Sequence, residues 1–441
     1  MKKKIIKNQK GVAIILTLLS LLLLSIIGFG LISVGTSQSR AVRNIQDSNN
    51  AYYMARTGVA RAMAELETNY TWMTGKDDYY ELNMGENGKY TVDVWAPAGN
   101  MDPLATSRIW KIVSTGEYNG SVRTLEAWAK YESFALFCYF TDSEKIGSTT
   151  IWFTDSDYLD GRVHTNGYFS IYQTPYFTNK VTSYNRYDSK YDRPNRRYKQ
   201  SGYQYDPQKF YRYYNNYDND IPTGGDDFSF AGGEPEIELP YDTSLIEANA
   251  NKKYNGDVYI WFLDSGKAKV RYYNSGWREE YISTQNLILH ASDDIFIKGG
   301  KVRGSVTLGC GDDIFIEDSF EYVDKNVDVM GLVADDDIVI TTDKYTVDDL
   351  TLHAIMMALN GSFYVKDYNK GNPRGLLSIY GGLIQYERGP VGTFRSGYGT
   401  VTGYDKDYRY DPKLLLTPPP NFPNTGNLEL LSLKDSGAFY E

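Results

Sequence analysis

The sequence predicts an α+β protein in which a long N-terminal helix is followed by a small antiparallel β head and a large all-β region. Three observations predict this class: an uncharged apolar run over residues 11–34, period-two alternation over residues 71–130, and short apolar segments that recur behind acidic corners over residues 131–417. The chain also holds 40 tyrosines and 40 glycines, which suit half-exposed sheet faces and turns.

The first element is a helix long enough to cross a membrane. Residues 11–34 carry no charge and would span about 36 Å as a helix. Lysines precede this run at five positions and only Arg40 and Arg43 follow it closely, so the positive-inside rule predicts a cytoplasmic N-terminus and a bulk of the chain beyond the membrane. A cleaved secretory signal, the competing interpretation, has an apolar run of only about 7–15 residues.

Helical periodicity continues after the apolar run. Val42, Ile45, Val59, Ala62 and Leu66 recur at three- and four-residue steps, with charged residues between them. Residues 12–70 are therefore predicted to form one helix, half apolar and half amphipathic, behind a basic leader of residues 1–11.

This N-terminus, "QKGVAIILTLLSLLLLSIIGFGLISVGTSQSRAVRNIQDSNNAYYMARTGVARAMAEL", resembles that of type IV pilin-like proteins, and most closely the PilX-like minor pilins. The resemblance implies that a prepilin peptidase removes the leader after Gly11 and leaves Val12 as the new N-terminus. It also implies helix packing in the bilayer and against other pilin subunits, through Leu16, Leu19, Leu22, Leu23, Ile26 and Ile27. Leu16 stands where major pilins carry a glutamate, which fits the minor group and a tip or priming role.

The β head is predicted over residues 71–130. The segments "GKYTVDVWAP", "RIWKIVSTGEYNG" and "SVRTLEAWAKY" alternate between apolar and polar residues, and "EYNG" is typical of a hairpin turn.

The larger β region, residues 131–417, contains an internal repeat. "ASDDIFIKGG", "GCGDDIFIEDS", "ADDDIVITTD" and "NGSFYVKDY" place Ile295, Ile314, Ile338 and Phe363 at intervals of 19, 24 and 25 residues. A corner and short strand at this period favour a β-solenoid or β-helix, and a stacked β-sandwich is the alternative. This region, with "LDGRVHTNGYFSIY" and "YRYDPKLLLTPPPNFP", resembles an uncharacterised extracellular domain found behind PilX-type N-termini. The prolines after residue 417 predict an extended tail over residues 418–441.

A basic, tyrosine-rich insertion is predicted over residues 180–217. It holds nine Lys or Arg and three Asp residues, a net of +6 by subtraction (9 − 3), in a protein of net charge −10. Interleaved aromatic and basic side chains suit DNA or an anionic polysaccharide. A solvated loop whose tyrosines pack on the sheet is the plainer alternative. The candidate polyanion-binding residues are Arg186, Arg193, Arg196, Arg197, Tyr198, Lys199 and Arg212.

The sequence gives little sign of catalysis. His164, His290 and His353 lack metal-ligand spacing, and Cys138 and Cys310 are expected to be buried thiols. The acidic corners Asp293, Asp294, Asp312, Asp313, Asp336 and Asp337 could imitate the calcium ladder of a β-helix polysaccharide lyase, although solvated corners explain them as well. We expect no enzyme and no cofactor, with weakly bound calcium left open.

These features together predict a minor pilin-like subunit of a type IV pilus or related secretion filament. It would be a single-pass protein of the cytoplasmic membrane that displays its β domain outside, with a membrane-anchored adhesin or DNA/polysaccharide-binding protein as the alternative. Its expected partners are other pilins, the prepilin peptidase, the lipid bilayer and, through the insertion, DNA or surface polysaccharide.

Overall fold

The structure is a computed structural model that describes residues 9–68, 80–83, 88–95, 109–146, 149–155, 157–184, 204–206, 211–213, 223–225, 229–341, 349–395 and 398–439. It divides into two compact units. Unit 1 comprises Met1–Pro97, Trp110–Ala129 and Leu430–Glu441, and unit 2 comprises Ala98–Ile109 and Lys130–Glu429. A long N-terminal helix and a large β-rich region confirm the predicted α+β class.

Two α-helices are present in the described residues, α1 (Gln9–Thr68) and α2 (Ser244–Asn249), with two short 3-10 helices, Phe134–Leu136 and Pro412–Leu415. The strands of the first part of the chain are β1 (Tyr80–Asn83), β2 (Gly88–Trp95), β3 (Ile109–Tyr118), β4 (Ser121–Ser133), β5 (Phe137–Ser143), β6 (Lys145–Ile146), β7 (Thr149–Thr150), β8 (Tyr158–Asp160), β9 (Arg162–Thr165), β10 (Phe169–Ile171), β11 (Tyr176–Phe177), β12 (Lys180–Ser183), β13 (Gln204–Asp206), β14 (Tyr211–Tyr213), β15 (Thr223–Gly224) and β16 (Ser229–Gly232).

The strands of the second part are β17 (Lys252–Tyr254), β18 (Val258–Leu263), β19 (Lys267–Tyr273), β20 (Trp277–Ser283), β21 (Leu287–Ala291), β22 (Ile295–Val302), β23 (Ser305–Cys310), β24 (Ile314–Ile316), β25 (Phe320–Tyr322), β26 (Val329–Ala334), β27 (Ile338–Ile340), β28 (Leu350–Ala358), β29 (Phe363–Val365), β30 (Pro373–Glu387), β31 (Gly392–Arg395), β32 (Gly399–Tyr410) and β33 (Asn424–Phe439).

Unit 1 packs the second half of α1 on a five-stranded sheet of order β1-β2-β3-β4-β33. The buried residues of this half of the helix follow its period: Ala51, Ala55, Val59, Ala62 and Leu66. Small residues bring the helix close to the sheet, and a Cβ added at Gly116 would lie only 2.1 Å from the carbonyl oxygen of Ala51. The amphipathic periodicity read from the sequence therefore corresponds to a real packing face.

The C-terminus of the chain belongs to the sheet of unit 1. Strand β33 is hydrogen-bonded beside β4, so the chain leaves unit 1 after Ala129 and returns to it at Leu430. The sequence-based prediction of an extended tail over residues 418–441 did not include this strand. The prolines end at Pro423, and the residues that follow are free to donate backbone hydrogen bonds.

Unit 2 is built mainly from parallel ladders. The longest ladder runs β17-β21-β23-β26-β28-β30-β5-β9-β12-β16, with every neighbouring pair parallel. A second runs β18-β22-β24-β27-β29, where Ile295, Ile314, Ile338 and Phe363 lie in register. The repeat read from the sequence is therefore a set of in-register neighbours in parallel strands.

The order of strands in the longest ladder is not the order of the chain. Strand β5 lies between β30 and β9, so the segment that begins at residue 137 is stacked on the segment that ends at residue 387. Residues 233–251 connect the two ends of the ladder, β16 and β17. This connection is anchored along the way, because Asn166 exchanges hydrogen bonds with the backbone of Ile237 at 2.7 and 3.1 Å and Ile246 is buried against Gly309.

Two apolar clusters hold unit 2 together, one on each face of the longest ladder. Met330 and Leu332 of β26 belong to the larger cluster, whereas Val329 and Val333 of the same strand belong to the smaller one. This double burial explains the unbroken apolar sequence of β26. Ile246, Leu414 and Phe422 belong to the smaller cluster, so the Pro-rich segment before β33 packs against the ladder.

Candidate functional site

The first half of α1 is an exposed apolar surface. The six residues predicted to make helix contacts, Leu16, Leu19, Leu22, Leu23, Ile26 and Ile27, are each 52% to 62% exposed. Among the described residues, α1 is one helix whose length and composition would allow it to cross a membrane, with a mean hydropathy of 2.7 in its most apolar stretch, none of it buried. An exposed apolar patch of this size marks an interaction site with lipid or protein.

The predicted processing site lies inside this helix. Helix α1 begins at Gln9, so the backbone at Gly11 and Val12 is already helical. The side chain of Val12 lies outside the described part of the structure. Cleavage after Gly11 stays a prediction.

The basic, tyrosine-rich insertion falls mostly outside the described residues. Arg186, Arg193, Arg196, Arg197, Tyr198 and Lys199 all lie there. Arg212 is placed by its backbone only, in β14, where it is in register with Ser170 of β10 in a parallel pair. Polyanion binding by these residues stays a prediction.

The repeated acidic corners have a structural explanation. The Asp294 carboxylate accepts a hydrogen bond from the Asp313 backbone N–H at 3.1 Å, Asp313 accepts one from Asp337 N–H at 2.9 Å, and Asp337 accepts one from Ser362 N–H at 2.7 Å. Each corner carboxylate thus caps the backbone of the next corner, at the same 19, 24 and 25-residue intervals as the apolar repeat. A lyase-like calcium ladder is not needed to explain the pattern.

One group of these carboxylates could in principle hold a cation. Oxygens of Asp294, Asp312 and Asp313 lie within 4.8 Å of one another. Burial raises the pKa of Asp313 to about 6, although the hydrogen bond from Asp337 N–H opposes part of the rise. Because exposed acidic groups are common without an ion and Asp313 has a capping role, the geometry alone does not indicate calcium.

The histidines and cysteines are separate core residues of unit 2. His164 contacts Thr182 and Asn166, His290 contacts Thr243, and His353 accepts a hydrogen bond from the Tyr322 N–H. Burial lowers the pKa of His164 and of His353 to about 4, which keeps both neutral at pH 7. Cys138 and Cys310 are free and buried, as predicted, and burial raises the pKa of Cys138 to about 12.

Unit 2 contains a buried charge cluster that no sequence pattern predicted. Arg388 pairs with Glu144 at 3.0 Å, and Lys406 pairs with Asp157; the side chains of Arg388, Glu144 and Asp157 are 5% exposed or less. The Arg388 guanidinium also lies 3.8 Å from the centre of the Phe153 ring. Burial raises the pKa of Glu144, and the charge of Arg388 offsets only part of that rise.

This charge cluster borders a cavity of about 340 Å³ whose lining includes Tyr139, Phe153, Gln385 and Tyr404. The partners of its two ion pairs are 244 and 249 residues apart. They meet only because β5 and β8 are stacked on β30 and β32. No local motif could have revealed such a cluster, because the partners of each ion pair come from segments far apart in the chain.

A protein family and a solved structure are similar to this chain. Residues 108–185 match the model of a family described as Domain of unknown function (DUF4900). No curated protein matches the sequence. The solved structures include a match to the competence-associated pilin ComZ from Thermus thermophilus, with 12% identity over 88% of this chain and 97% of that one, at a TM-score of 0.26. A likeness this low does not define the fold, and the family match covers less than a fifth of the chain.

Proposed function

We propose that this chain is a minor pilin-like subunit of a type IV pilus or related secretion filament, anchored by α1 and displaying unit 2 outside the cytoplasmic membrane. The observation that carries the proposal is the contrast within α1. Its second half is packed on the sheet of unit 1, whereas residues 13–34 expose a continuous apolar surface. In this proposal the chain acts by assembly and display rather than by catalysis.

The exposed half of α1 would have two successive environments. A span of 22 residues is about 33 Å long, which matches the hydrocarbon core of a bilayer. After extraction from the membrane, the same apolar side chains would pack against helices of other subunits. The resemblance of the first 70 residues to PilX-like proteins supports this use, together with a prepilin peptidase that cuts after Gly11.

We also propose that unit 2 is a β-solenoid. Support comes from the ladder of ten parallel strands and from the capping hydrogen bonds that link one acidic corner to the next. The coils would be stacked in an order that differs from the chain, with the coil that contains β5 inserted next to that of β30. Such a rigid stack would suit display at a filament tip or base.

Mass spectrometry of the N-terminus of the protein from its native membrane tests the proposal first. A chain that begins at Val12 is expected, because a prepilin peptidase would cut on the C-terminal side of Gly11. A chain that begins near Met1 would leave a plain membrane anchor, and a start beyond Gly35 would mean that the apolar run is a secretion signal. Either result would overturn the filament proposal.

A charge substitution tests the membrane step. The double variant Leu19→Lys/Leu22→Lys should leave the membrane fraction, since each lysine at the centre of a spanning helix costs about 2.5–3.5 kcal/mol. Val42→Lys is the matched control, because Val42 is exposed on the same helix but lies beyond the apolar run. Normal membrane retention of the double variant would contradict the proposed anchor.

A further inference from the structure

A second surface of the molecule, in unit 2, has the features of a ligand-binding face. Strands β19 and β20 form an antiparallel hairpin that extends the sheet from β18. Their outward side chains and those of β18, β22 and β24 form what we call the aromatic face, made of Tyr259, Trp261, Tyr273, Trp277, Tyr281, Phe296 and Phe315.

Five of the seven rings of the aromatic face are in mutual contact. Tyr259 stacks on Phe296 with ring centroids 4.6 Å apart, and Phe296 stacks on Phe315 at 4.8 Å. Trp277 meets Tyr259 and Tyr273 edge-on, at 5.7 and 5.8 Å. These five rings form one patch across neighbouring strands, and Lys269, which lies over Trp261 and is in register with Tyr281, connects the other two rings to it.

The most exposed rings of the aromatic face are not part of the core of unit 2. The core-facing residues of the same strands, such as Ile260 and Val270, are fully buried, whereas Tyr273, Trp277 and Tyr281 are 59%, 52% and 64% exposed. Isolated exposed aromatic residues need no explanation, but a contiguous exposed cluster marks an interaction surface. The hairpin positions these rings rigidly, because β19 and β20 are paired along seven consecutive residues.

Charged side chains are interleaved with the rings. Arg271 lies 4.4 Å from the centre of the Trp277 ring, Lys269 lies 5.1 Å from that of Trp261, and Lys298 lies 5.1 Å from that of Tyr259. Both lysines are already in ion pairs, Lys269 with Glu279 at 3.1 Å and Lys298 with Glu317, and Asp257 and Asp294 lie near Tyr259. Among the described residues, Lys267 and Arg271 of β19 are in no ion pair, so the unpaired positive charge of the face lies on the hairpin beside Tyr273, Trp277 and Tyr281.

We propose that the aromatic face binds an acidic polysaccharide, a glycan chain with carboxylate-bearing rings. Flat C–H faces of sugar rings stack on the exposed Tyr273, Trp277 and Tyr281. The glycan carboxylates meet Lys267 and Arg271, the two cations of the face that are in no ion pair among the described residues. A single-stranded nucleic acid would use the same rings and cations, and binding of it in place of the glycan is an outcome that overturns the proposal. The proposal does not depend on membrane anchoring or on filament assembly.

Binding of polygalacturonate to the purified full chain in detergent tests the proposal. Calorimetry or affinity electrophoresis at low salt should show binding, and Trp277→Ala/Tyr281→Ala should weaken it by at least about tenfold, since two of the three most exposed rings of the face are removed. Tyr241→Ala is the matched control, because Tyr241 is 87% exposed and lies outside the face. The control should bind like the parent protein.

The other outcomes each overturn the proposal. Equal binding by the double variant and the control would place the site elsewhere, and binding of single-stranded DNA but not polygalacturonate would identify the face as a nucleic-acid surface. Binding only to a neutral galactan would remove the role of the basic residues. If the double variant melts below the parent, Tyr281→Ala alone serves in its place, with a smaller but measurable loss expected.

Discussion

At the scale of single residues, the buried ion pair of Glu144 and Arg388 is the feature whose disruption should cost the most stability. Both side chains are at most 5% exposed, and the Thr141 hydroxyl donates a further hydrogen bond to Glu144. A buried ion pair of this kind contributes little net stability while it is intact. Removal of one partner is costly, because the other charge then stays buried without compensation.

Arg388→Met should therefore lower the free energy of unfolding by about 3–5 kcal/mol at pH 7.5. The folded-state pKa of Glu144 is already raised, so the folded protein holds this proton to higher pH than the unfolded chain, and stability is lost as the pH rises through that pKa. Loss of the arginine charge raises the pKa further. Denaturant titrations should accordingly show a smaller defect at about pH 5 than at pH 7.5.

The double variant Arg388→Met/Glu144→Gln is the control for this prediction. Glutamine keeps an oxygen that can accept the Thr141 hydrogen bond but carries no charge, so most of the lost stability should return. If the single and double variants were equally unstable at both pH values, packing of the arginine on Phe153, rather than the uncompensated charge, would be the cause.

The acidic corners provide a second prediction at this scale. Asp313→Ala removes the acceptor of the Asp337 N–H and should cost about 1–2 kcal/mol. Asp313→Asn keeps an oxygen that accepts this hydrogen bond. The folded-state pKa of Asp313 is raised to about 6, so its negative charge lowers stability as the pH rises through that value. The asparagine variant lacks this charge.

The asparagine variant should consequently match or exceed the parent in stability at pH 8. Thermal unfolding of Asp313→Ala, Asp313→Asn and Asp336→Ala at pH 8 checks the order. Asp336 is an exposed neighbour in the same repeat, and its substitution should be within about 0.5 kcal/mol of neutral. An alanine variant as stable as the asparagine variant would contradict the capping role.

At the scale of elements, helix α1 has two kinds of surface, an exposed apolar half and an amphipathic half that packs on the sheet. Its buried half approaches the sheet at Gly116, where an added Cβ would meet the Ala51 carbonyl oxygen at 2.1 Å and the Ala55 nitrogen at 2.3 Å. Its apolar half contains Gly35, beside which no atom lies within 4 Å of an added Cβ.

Substitution of Gly116 and of Gly35 by alanine should therefore change stability in opposite directions. Gly116→Ala forces the helix away from β3 and should destabilise unit 1 by about 1–3 kcal/mol, as overpacking of a core does. Gly35→Ala has open space and should strengthen the isolated helix by about 1 kcal/mol. Circular dichroism of thermal unfolding, with both variants in the same detergent, measures the two shifts; equal shifts would mean that Gly116 is not a close contact.

The elements also differ in how much of their structure could be predicted from the sequence. Local periodicity was sufficient for α1 and for the alternating strands β2 and β3, because each pattern depends on neighbouring residues. The 19, 24 and 25-residue repeat identified strands that are in register. Nothing local could show that β5 is stacked between β30 and β9, or that Glu144 meets Arg388, because those contacts depend on how distant segments are stacked.

At the scale of the whole molecule, the structure adds a feature that the sequence did not predict, which is the return of the chain to unit 1. The sequence suggested a head, then a β domain, then a tail in succession. The structure instead places Lys130–Glu429 between two parts of unit 1, since β33 completes the sheet that begins with β1 to β4. A strand that joins its sheet from the far end of the chain leaves no periodic signal that links it to its neighbour.

This discontinuity predicts the effect of a C-terminal truncation. Deletion of residues 430–441 removes the part of β33 that belongs to unit 1, including Asp435, which pairs with Arg123 of β4. Unit 1 should then lose amide protection in β3 and β4 in hydrogen-exchange mass spectrometry, whereas β26 in unit 2, with all six residues buried, should exchange as in the full chain.

The variant Asp435→Ala distinguishes the contribution of the ion pair from that of strand β33 itself. A partly exposed pair contributes about 0–1 kcal/mol, so this variant should keep nearly full protection in β3 and β4. Equal loss of protection in both units after truncation would mean that they unfold together, and no loss in either would mean that β33 is dispensable. Selective loss in unit 1 would establish that the first and last segments of the chain fold as one body, with unit 2 as an independently stable insertion.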